Sequence, residues 1–204
     1  MNNKNVQIAL FVLFVAIVGG ALYYTLSGQN NSGDTQAQAN QPQKVEMLKY
    51  SDYSCPACKI YHGANKMLEE EYGDLVDITY RHFPLDSFRY SRLAAYSVEA
   101  ARNQGKYQEM HELIFEYQEV WSQGDAREQF IDFAEQLDLD MEQFEADLES
   151  EEIHALVESQ KREGERRQVR ATPTYFINGQ RVQQLPQNID QFKSLVELYM
   201  YRSN

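Results

Sequence analysis

The sequence predicts an α/β fold that carries an all-helical insertion. A strand, a helix and a second strand follow one another over residues 44–83, only helical patterns occupy about residues 87–167, and a hairpin and a last helix complete the chain. Because a helix joins the first two strands, we expect them to lie parallel with a right-handed crossover. With 204 residues and 43% hydrophobic content, the chain is expected to form one domain with appendages.

The N-terminal region is typical of a membrane anchor. An uncharged run from Val6 to Leu26 spans roughly 30 Å at about 1.5 Å per residue, the thickness of one bilayer core. Lys4 precedes this run, and no Lys or Arg follows until Lys44. The positive-inside rule therefore predicts that residues 1–5 are cytoplasmic, that residues 6–26 form a single-pass transmembrane anchor in the cell membrane and that the remainder is extracytoplasmic. A cleaved signal peptide is the alternative, and either way the domain is exported.

A polar segment joins this anchor to the predicted domain. Residues 27–43 consist mostly of Gln, Asn, Ser, Gly and Ala and lack the apolar side chains that a core requires. We therefore expect a flexible linker with a root-mean-square span of roughly 20–25 Å, which keeps the domain of residues 44–204 near the membrane.

Both cysteines of the chain lie at the start of the first predicted helix. Ser54 is the expected N-cap, Pro56 fits the first turn, and Gly73 fits the end of the helix. Positions i and i+3 of one turn have Cα atoms about 5–6 Å apart, which a disulfide tolerates. The helix dipole favours the thiolate of Cys55, whereas Cys58 lies further in and should be less exposed. We expect Cys55 to exchange disulfides and Cys58 to resolve them.

Other interpretations of the cysteine pair stay open. A structural disulfide is one, although so short a loop constrains the unfolded chain little. A zinc half-site of Cys55, Cys58 and His62 is another, although the sequence offers no second CxxC motif and no paired histidines. A third is that the CxxC spacing arose by chance and has no role.

The central segment predicts five helices. Apolar residues recur at helical spacing in stretches that begin at Leu93, Tyr107, Phe130, Phe144 and Ile153. These stripes predict core positions rather than a cofactor site, and Asp140 is the expected cap of the fourth helix. The heavily charged part of the fifth stretch, Lys161 to Arg170, is expected to be solvated. Structural roles are expected for His82, His111, His154 and Trp121.

The last part of the chain predicts a hairpin and a helix. The strand from Thr174 to Ile177 opens after Thr172-Pro173, and Asn178-Gly179 is a strong signal for a tight turn. The returning strand is expected over residues 180–182. Apolar residues at helical spacing predict a final helix over residues 188–201.

Taken together, these motifs make the chain similar to the thioredoxin superfamily and, within it, to the DsbA-like (BdbD-type) thiol–disulfide oxidoreductases. The resemblance rests on SDYSCPACK at residues 51–59, on ATPTYFING at residues 171–179 and on the helical segment between them. It implies a thioredoxin fold with a helical insertion and a cis peptide bond beside the redox motif. The site residues that it implies are Cys55, Cys58, Pro56, Ala57, Thr172 and Pro173.

The resemblance also implies a function, the introduction of disulfides into exported proteins. A substrate thiolate would attack Cys55 of the oxidised pair, and a second substrate thiol would release the oxidised product. A quinone-linked membrane oxidase of the DsbB or VKOR type would then reoxidise the pair, and no bound cofactor is needed. The alternatives are a reductase or isomerase on the same fold and a non-catalytic binding module. The net charge of −12 argues against nucleic acid as a partner.

Two positions depart from the family pattern. Ala57 stands where DsbA-type proteins usually carry a histidine, and Lys49 stands where the family often carries a buried glutamate that relays protons to the resolving cysteine. A cation about 6 Å from the sulfur, at an effective dielectric constant near 20, would favour the thiolate by roughly 2–3 kcal/mol. We therefore hypothesise that Lys49 stabilises the Cys55 thiolate in place of the missing histidine.

Overall fold

The computed structural model describes residues 17–23 and 41–202. Residues 17–23 are helical, and the rest of the predicted anchor at 6–26 lies outside the described residues, as does most of the predicted linker at 27–43. In the part of the chain that the structure describes, no helix is both long enough and apolar enough to cross a membrane. Residues 43–200 form a unit of their own.

A four-stranded sheet lies at the centre of this unit, with the strand order β2-β1-β3-β4. The strands are β1 (Val45–Ser51), β2 (Val76–His82), β3 (Thr174–Ile177) and β4 (Gln180–Arg181). The predicted parallel pairing of β1 and β2 is confirmed, and β3 pairs antiparallel with both β1 and β4. Because β1 lies between β2 and β3, Lys49 has Tyr80 on one side and Tyr175 on the other.

Two helices cover one face of the sheet. They are α1 (Pro56–Tyr72), which a short 3₁₀ turn (Gly73–Leu75) joins to β2, and α8 (Ile189–Met200) at the end of the chain. Their apolar faces pack on buried side chains of the strands, among them Met47, Tyr175 and Ile177. Pro56 occupies the first helical position and Gly73 ends α1 at φ 51°, as predicted.

The prediction that Ser54 caps α1 is wrong. The N-cap is Cys55, whose backbone is extended (φ −82°, ψ 119°), and the Ser54 side chain does not cap the helix. Asp52 accepts the backbone N–H of Ser54 instead. The start of the helix is therefore shifted by one residue and places the first sulfur at the cap position itself.

Six helices lie between β2 and β3, as the pattern of an all-helical insertion predicts. They are α2 (Ser91–Asn103), α3 (Tyr107–Glu116), α4 (Gln118–Trp121), α5 (Ala126–Gln136), α6 (Met141–Leu148) and α7 (Glu151–Arg166). Trp121 is almost completely buried against Phe130, with ring centroids 5.2 Å apart, so it anchors the insertion. Asp140 caps α6 by accepting the N–H of Gln143. The short helix α4 has no counterpart in the sequence prediction.

The expectation that the charged half of α7 is solvated is wrong for one of its faces. Lys161 is only 8% exposed and its ammonium lies 2.8 Å from a carboxylate oxygen of Asp86. One turn later, Gly164 packs against the rings of Phe83 and Tyr50 on the second face of the sheet. The missing Cβ lets α7 approach the sheet closely, which a charge count along the sequence does not reveal.

The hairpin between β3 and β4 is confirmed. Asn178 and Gly179 both have positive φ angles, 47° and 76°, as a two-residue turn of type I′ requires. The peptide bond between Thr172 and Pro173, immediately before β3, is cis, as the family resemblance implies.

Candidate active site

The two cysteines lie at the N-terminal end of α1 with different accessibility. Cys55 is 7% exposed, Cys58 is fully buried, and both are free thiols. The backbone N–H groups of Cys58 and Lys59 donate to the carbonyl of Cys55 at 3.0 and 3.3 Å, so the motif is held in a helical turn. Within it, Pro56 is exposed and Ala57 is half-buried. The outer sulfur is therefore the one that a second protein can reach.

The pKa of the Cys55 thiol is lowered to about 6. The largest cause is a hydrogen bond from the Cys58 thiol, and a hydrogen bond from Thr172 and the backbone N–H groups of Cys58 and Ala57 add to it. Burial acts in the opposite direction but does not outweigh these donors. Because the thiolate is the nucleophile in disulfide exchange, Cys55 is predominantly in its reactive form at neutral pH.

The pKa of Cys58 moves the other way and lies well above the ordinary value of a thiol. Burial is the largest cause, and the hydrogen bond to Cys55 adds to it, whereas attraction to Lys49 opposes it. The backbone N–H of Asp52 donates to the Cys58 sulfur at 3.5 Å. Cys58 is thus a protonated thiol over the pH range in which Cys55 is a thiolate.

The loop before β3 brings Thr172 and Pro173 against the redox motif. The Cys55 thiol donates to the carbonyl oxygen of Thr172 at 3.3 Å, although 117 positions separate the two residues. The Thr172 hydroxyl is buried and has no hydrogen-bond partner among the described residues, so it is available to donate to Cys55 once the thiolate forms. Of the two, Thr172 contacts the reactive sulfur directly.

Lys49 lies on β1 beneath the motif and is fully buried. Its ammonium donates to the carbonyl oxygen of Cys58 at 3.4 Å. Burial lowers the pKa of Lys49 to about 8, and attraction to Cys58 and, to a smaller extent, to Cys55 opposes that shift. Lys49 therefore interacts more strongly with the inner cysteine, Cys58, than with the outer one, Cys55. The stabilisation of the Cys55 thiolate by Lys49 stays a prediction.

Two further residues hold the motif in place, and the sequence alone did not identify them. Gln118 of α4 is buried, and its side-chain amide donates to the carbonyls of Tyr53 at 2.5 Å and of Cys55 at 3.0 Å. Asp52 is also buried and accepts hydrogen bonds at 2.8 Å from Leu85, Ser54 and Ser91. Burial raises the pKa of Asp52. No sequence pattern indicated that Gln118, in a helix that was not predicted, and Asp52, in a loop, would hold the redox motif in place.

Three of the four histidines make hydrogen bonds to protein side chains, and His154 contacts the backbone carbonyl of Leu148 at 2.8 Å. His82 pairs with Glu99 at 2.7 Å, and His111 pairs with Tyr53 at the same distance. His62, a member of the alternative zinc half-site, contacts a carboxylate oxygen of Glu112 at 3.1 Å. Over residues 17–23 and 41–202, no three His, Cys, Asp or Glu side chains lie close enough together to hold a metal ion.

A groove of about 410 Å³ opens beside the redox motif. Its near wall includes Ser54 and Pro56, and its far wall comes from the loop before α2 and from the end of α4. The lining is Ser54, Pro56, Phe88, Arg89, Tyr90, Trp121, Ser122, Gln123 and Gly124. The groove therefore lies between the two residues that flank Cys55 and a surface that the helical insertion provides.

Comparison with known proteins gives a family and a fold. A family model described as thioredoxin matches residues 32–198. The chain is 32% identical over 153 residues to the Na(+)/H(+) antiporter NhaA 3 of Salinispora tropica, which covers 74% of this chain and 22% of that protein. It is 31% identical over 139 residues to the antiporter NhaA of Herminiimonas arsenicoxydans, covering 68% and 21%. The chain thus spans about a fifth of the length of these curated relatives.

Solved structures show the same fold. BdbD from Bacillus subtilis, in its oxidised form, has a TM-score of 0.67 at 20% identity and matches 80% of this chain and 94% of its own. A thioredoxin-like oxidoreductase from Silicibacter pomeroyi has a TM-score of 0.65 at 23% identity, with 81% and 91% covered. Alpha-DsbA1 from Wolbachia pipientis has a TM-score of 0.65 at 18% identity, with 78% and 86% covered.

Proposed function

This chain belongs to the thioredoxin family, and we propose that within it the chain is a thiol–disulfide oxidoreductase that introduces disulfides into exported proteins. The observation that carries the proposal is the difference between its two sulfurs. The pKa of Cys55 is lowered to about 6 at the exposed end of α1, whereas Cys58 is buried and its pKa is raised. A stabilised outer thiolate is a good leaving group, which makes the disulfide form a strong oxidant.

The substrate in this proposal is a protein segment with a reduced cysteine. Its thiolate attacks Cys55, the bond between Cys55 and Cys58 breaks, and a mixed disulfide forms. The groove beside Pro56 is open to receive the residues that flank the substrate cysteine, and the backbone of Thr172 lies where an extended segment can pair with it. A second substrate thiol then releases the oxidised product and leaves a reduced pair.

We further propose that the domain acts on the extracytoplasmic side of the cell membrane. The uncharged run of residues 6–26, with Lys4 before it, supports an anchor of this orientation. A quinone-linked oxidase of the DsbB or VKOR type, held in the same membrane, would reoxidise the pair. Extraction of membranes with alkaline carbonate, together with protease digestion of intact cells or spheroplasts, tests this placement. Release into the soluble fraction or protection from the protease would refute it.

The reduction potential tests the direction of exchange. The full-length chain in non-ionic detergent is equilibrated with defined glutathione ratios, and its thiols are trapped and counted. A potential near about −120 mV, the value of a strong oxidant, supports a disulfide donor, whereas one near about −270 mV identifies a reductant.

Single-cysteine variants test whether exchange occurs at all. We expect Cys58→Ser to accumulate mixed disulfides through Cys55 because the resolving sulfur is absent, and Cys55→Ser to lose exchange completely. A binding module would keep its contacts with exported proteins in both variants. If neither variant changes the trapped species, the proposed function is wrong.

A further inference from the structure

A buried lysine beneath a redox-active cysteine pair is an unusual arrangement. The ammonium of Lys49 is enclosed by three aromatic rings, with ring centroids 5.5 Å away for Tyr80, 5.6 Å for Phe115 and 5.8 Å for Tyr175. Aromatic faces attract a cation but accept its hydrogen bonds poorly, so they compensate only part of the lost hydration. In this site the ammonium form of Lys49 is therefore less favoured over the neutral amine than it is in water.

The hydrogen bonds around Lys49 reinforce this competition. Lys49 has three donors when it is charged, and among the described residues it has one acceptor, the carbonyl of Cys58. The hydroxyls of Tyr80 and Tyr175 hydrogen-bond to the buried Asn65, Tyr80 by accepting at 3.3 Å and Tyr175 by donating at 2.9 Å. In the described part of the chain, no carboxylate forms an ion pair with Lys49. The charge of Lys49 is therefore compensated only weakly unless a neighbouring cysteine is ionised.

The groups that face Lys49 come from every element packed around it. They are Cys55, Cys58, His62 and Glu69 from α1, Tyr80 from β2, His111 from α3 and Tyr175 from β3. Burial lowers the pKa of both histidines and raises the pKa of both tyrosines, so these four groups are neutral near pH 7–8. Only the cysteines and Glu69 attract the ammonium, and of these Cys58 attracts it most.

From this geometry we infer that Lys49 is the proton acceptor and donor of the resolving cysteine. The inference rests on the proposed exchange reaction. When Cys58 closes the disulfide, its thiol proton passes to the neutral amine of Lys49 and its thiolate attacks the Cys55 sulfur of the mixed disulfide. The Cys55–Cys58 bond forms, the bond to the partner sulfur breaks, and the electron pair leaves with the partner as a thiolate.

The same group serves the opposite half-reaction. When a substrate thiolate attacks the Cys55 sulfur of the oxidised pair, the electron pair of the broken bond is left on Cys58. The ammonium of Lys49 then gives its proton to that buried thiolate, which yields a neutral thiol and a neutral amine. Two charges inside the protein are removed together, which avoids the cost of an unpaired buried thiolate. The thiol and the amine therefore titrate as a pair.

A two-phase kinetic experiment separates the two cysteines. The reduced full-length chain is mixed in a stopped-flow instrument with a symmetric aromatic disulfide whose thiolate is coloured. Attack by Cys55 releases the first thiolate, and ring closure by Cys58 releases the second. We expect the second rate to rise with pH and to level off near pH 8, where Lys49 becomes neutral. Without a first phase, the proposed exchange function fails. With a first phase but no such inflection in the second, the role of Lys49 fails.

Three variants complete the test. Lys49→Met should slow the second phase about 100-fold at pH 7.5, at the lower end of general acid–base effects, and remove the inflection. Lys49→Arg, which keeps the charge but cannot give up its proton, should be as slow. Lys59→Met is the matched control, because this nearby lysine bonds to Glu119 and the carbonyl of Glu116 at the surface. A second phase within twofold of wild type in Lys49→Met, or a fast Lys49→Arg, refutes the inference. Should Lys49→Arg not fold, Lys49→Met and the wild-type profile decide.

Discussion

The hydrogen bond from Cys58 to Cys55 makes the sharpest prediction about reactivity. It is the largest cause of the low pKa of Cys55, which lies at about 6. A hydrogen bond to a charged group is worth about 1.5–3 kcal/mol, and a pKa unit corresponds to about 1.4 kcal/mol. Cys58→Ala should therefore raise the pKa of Cys55 by roughly one to two units, to about 7–8. At pH 7, the thiolate fraction should fall from about 90% to roughly 10–50%.

The assay is the rate of alkylation of Cys55 by iodoacetamide as a function of pH, with the modified site identified by mass spectrometry. Cys58 is fully buried, so the wild-type rate reports on the outer thiol. Cys58→Ser is the matched control, because its hydroxyl keeps a donor at the same position and should leave the pKa of Cys55 within about half a unit of the wild-type value. If Cys58→Ala also titrates near pH 6, the backbone donors and Thr172 suffice and the reasoning is wrong.

Three other predictions concern the framework of the site. Glu99 is 3% exposed and, although burial raises its pKa, hydrogen bonds from its histidine and arginine partners bring it down to about 2. Ionised Glu99 therefore adds roughly 3 kcal/mol to the free energy of unfolding above pH 4.5, and this contribution is lost as the pH falls towards 2. Urea titrations of Glu99→Gln at different pH values should lack this acid-sensitive part of the stability. Gly164→Ala places a Cβ 2.7 Å from the Phe83 ring and should lower the free energy of unfolding by about 1–3 kcal/mol, whereas Gly63→Ala, with no atom within 4 Å, should raise it by about 0.5–1 kcal/mol. Gln118→Leu removes the side-chain donor that the carbonyls of Tyr53 and Cys55 share, although the carbonyl of Cys55 keeps the N–H groups of Cys58 and Lys59, and it should lower the free energy of unfolding by about 1–3 kcal/mol; an unchanged denaturation midpoint would contradict the contacts described for Gln118.

The sequence by itself determined the local elements and the position of the chemistry. A proline after the first cysteine, apolar residues at helical spacing and the glycine at position 73 specify a helix that starts at the redox motif, and the structure has it. The Asn178-Gly179 turn likewise specifies the hairpin, because both residues tolerate positive φ angles. These features depend on contacts within a few positions of one another. Neighbouring residues in the sequence are therefore sufficient to predict them.

Only the tertiary structure decided what surrounds the two sulfurs. Thr172 reaches Cys55 across 117 positions, and Gln118 reaches the same residue from a helix of four residues that no periodicity could predict. A local pattern predicts Ser54 as the N-cap. In the structure the side chain of Asp52 accepts the backbone N–H of Ser54, and the helix begins one residue later, with Cys55 at the cap position.

Local sequence patterns also did not reveal the surroundings of Lys49 and Gly164, and only the family resemblance suggested that Lys49 lies near the redox motif. A lysine on a strand is ordinarily taken for a surface residue, and Lys49 is buried only because α1, α3 and the flanking strands close around it. Gly164 lies in a highly charged stretch, yet its missing side chain lets α7 meet the sheet. Burial is a property of distant segments that fold together, so no count of local charge or hydrophobicity contains it.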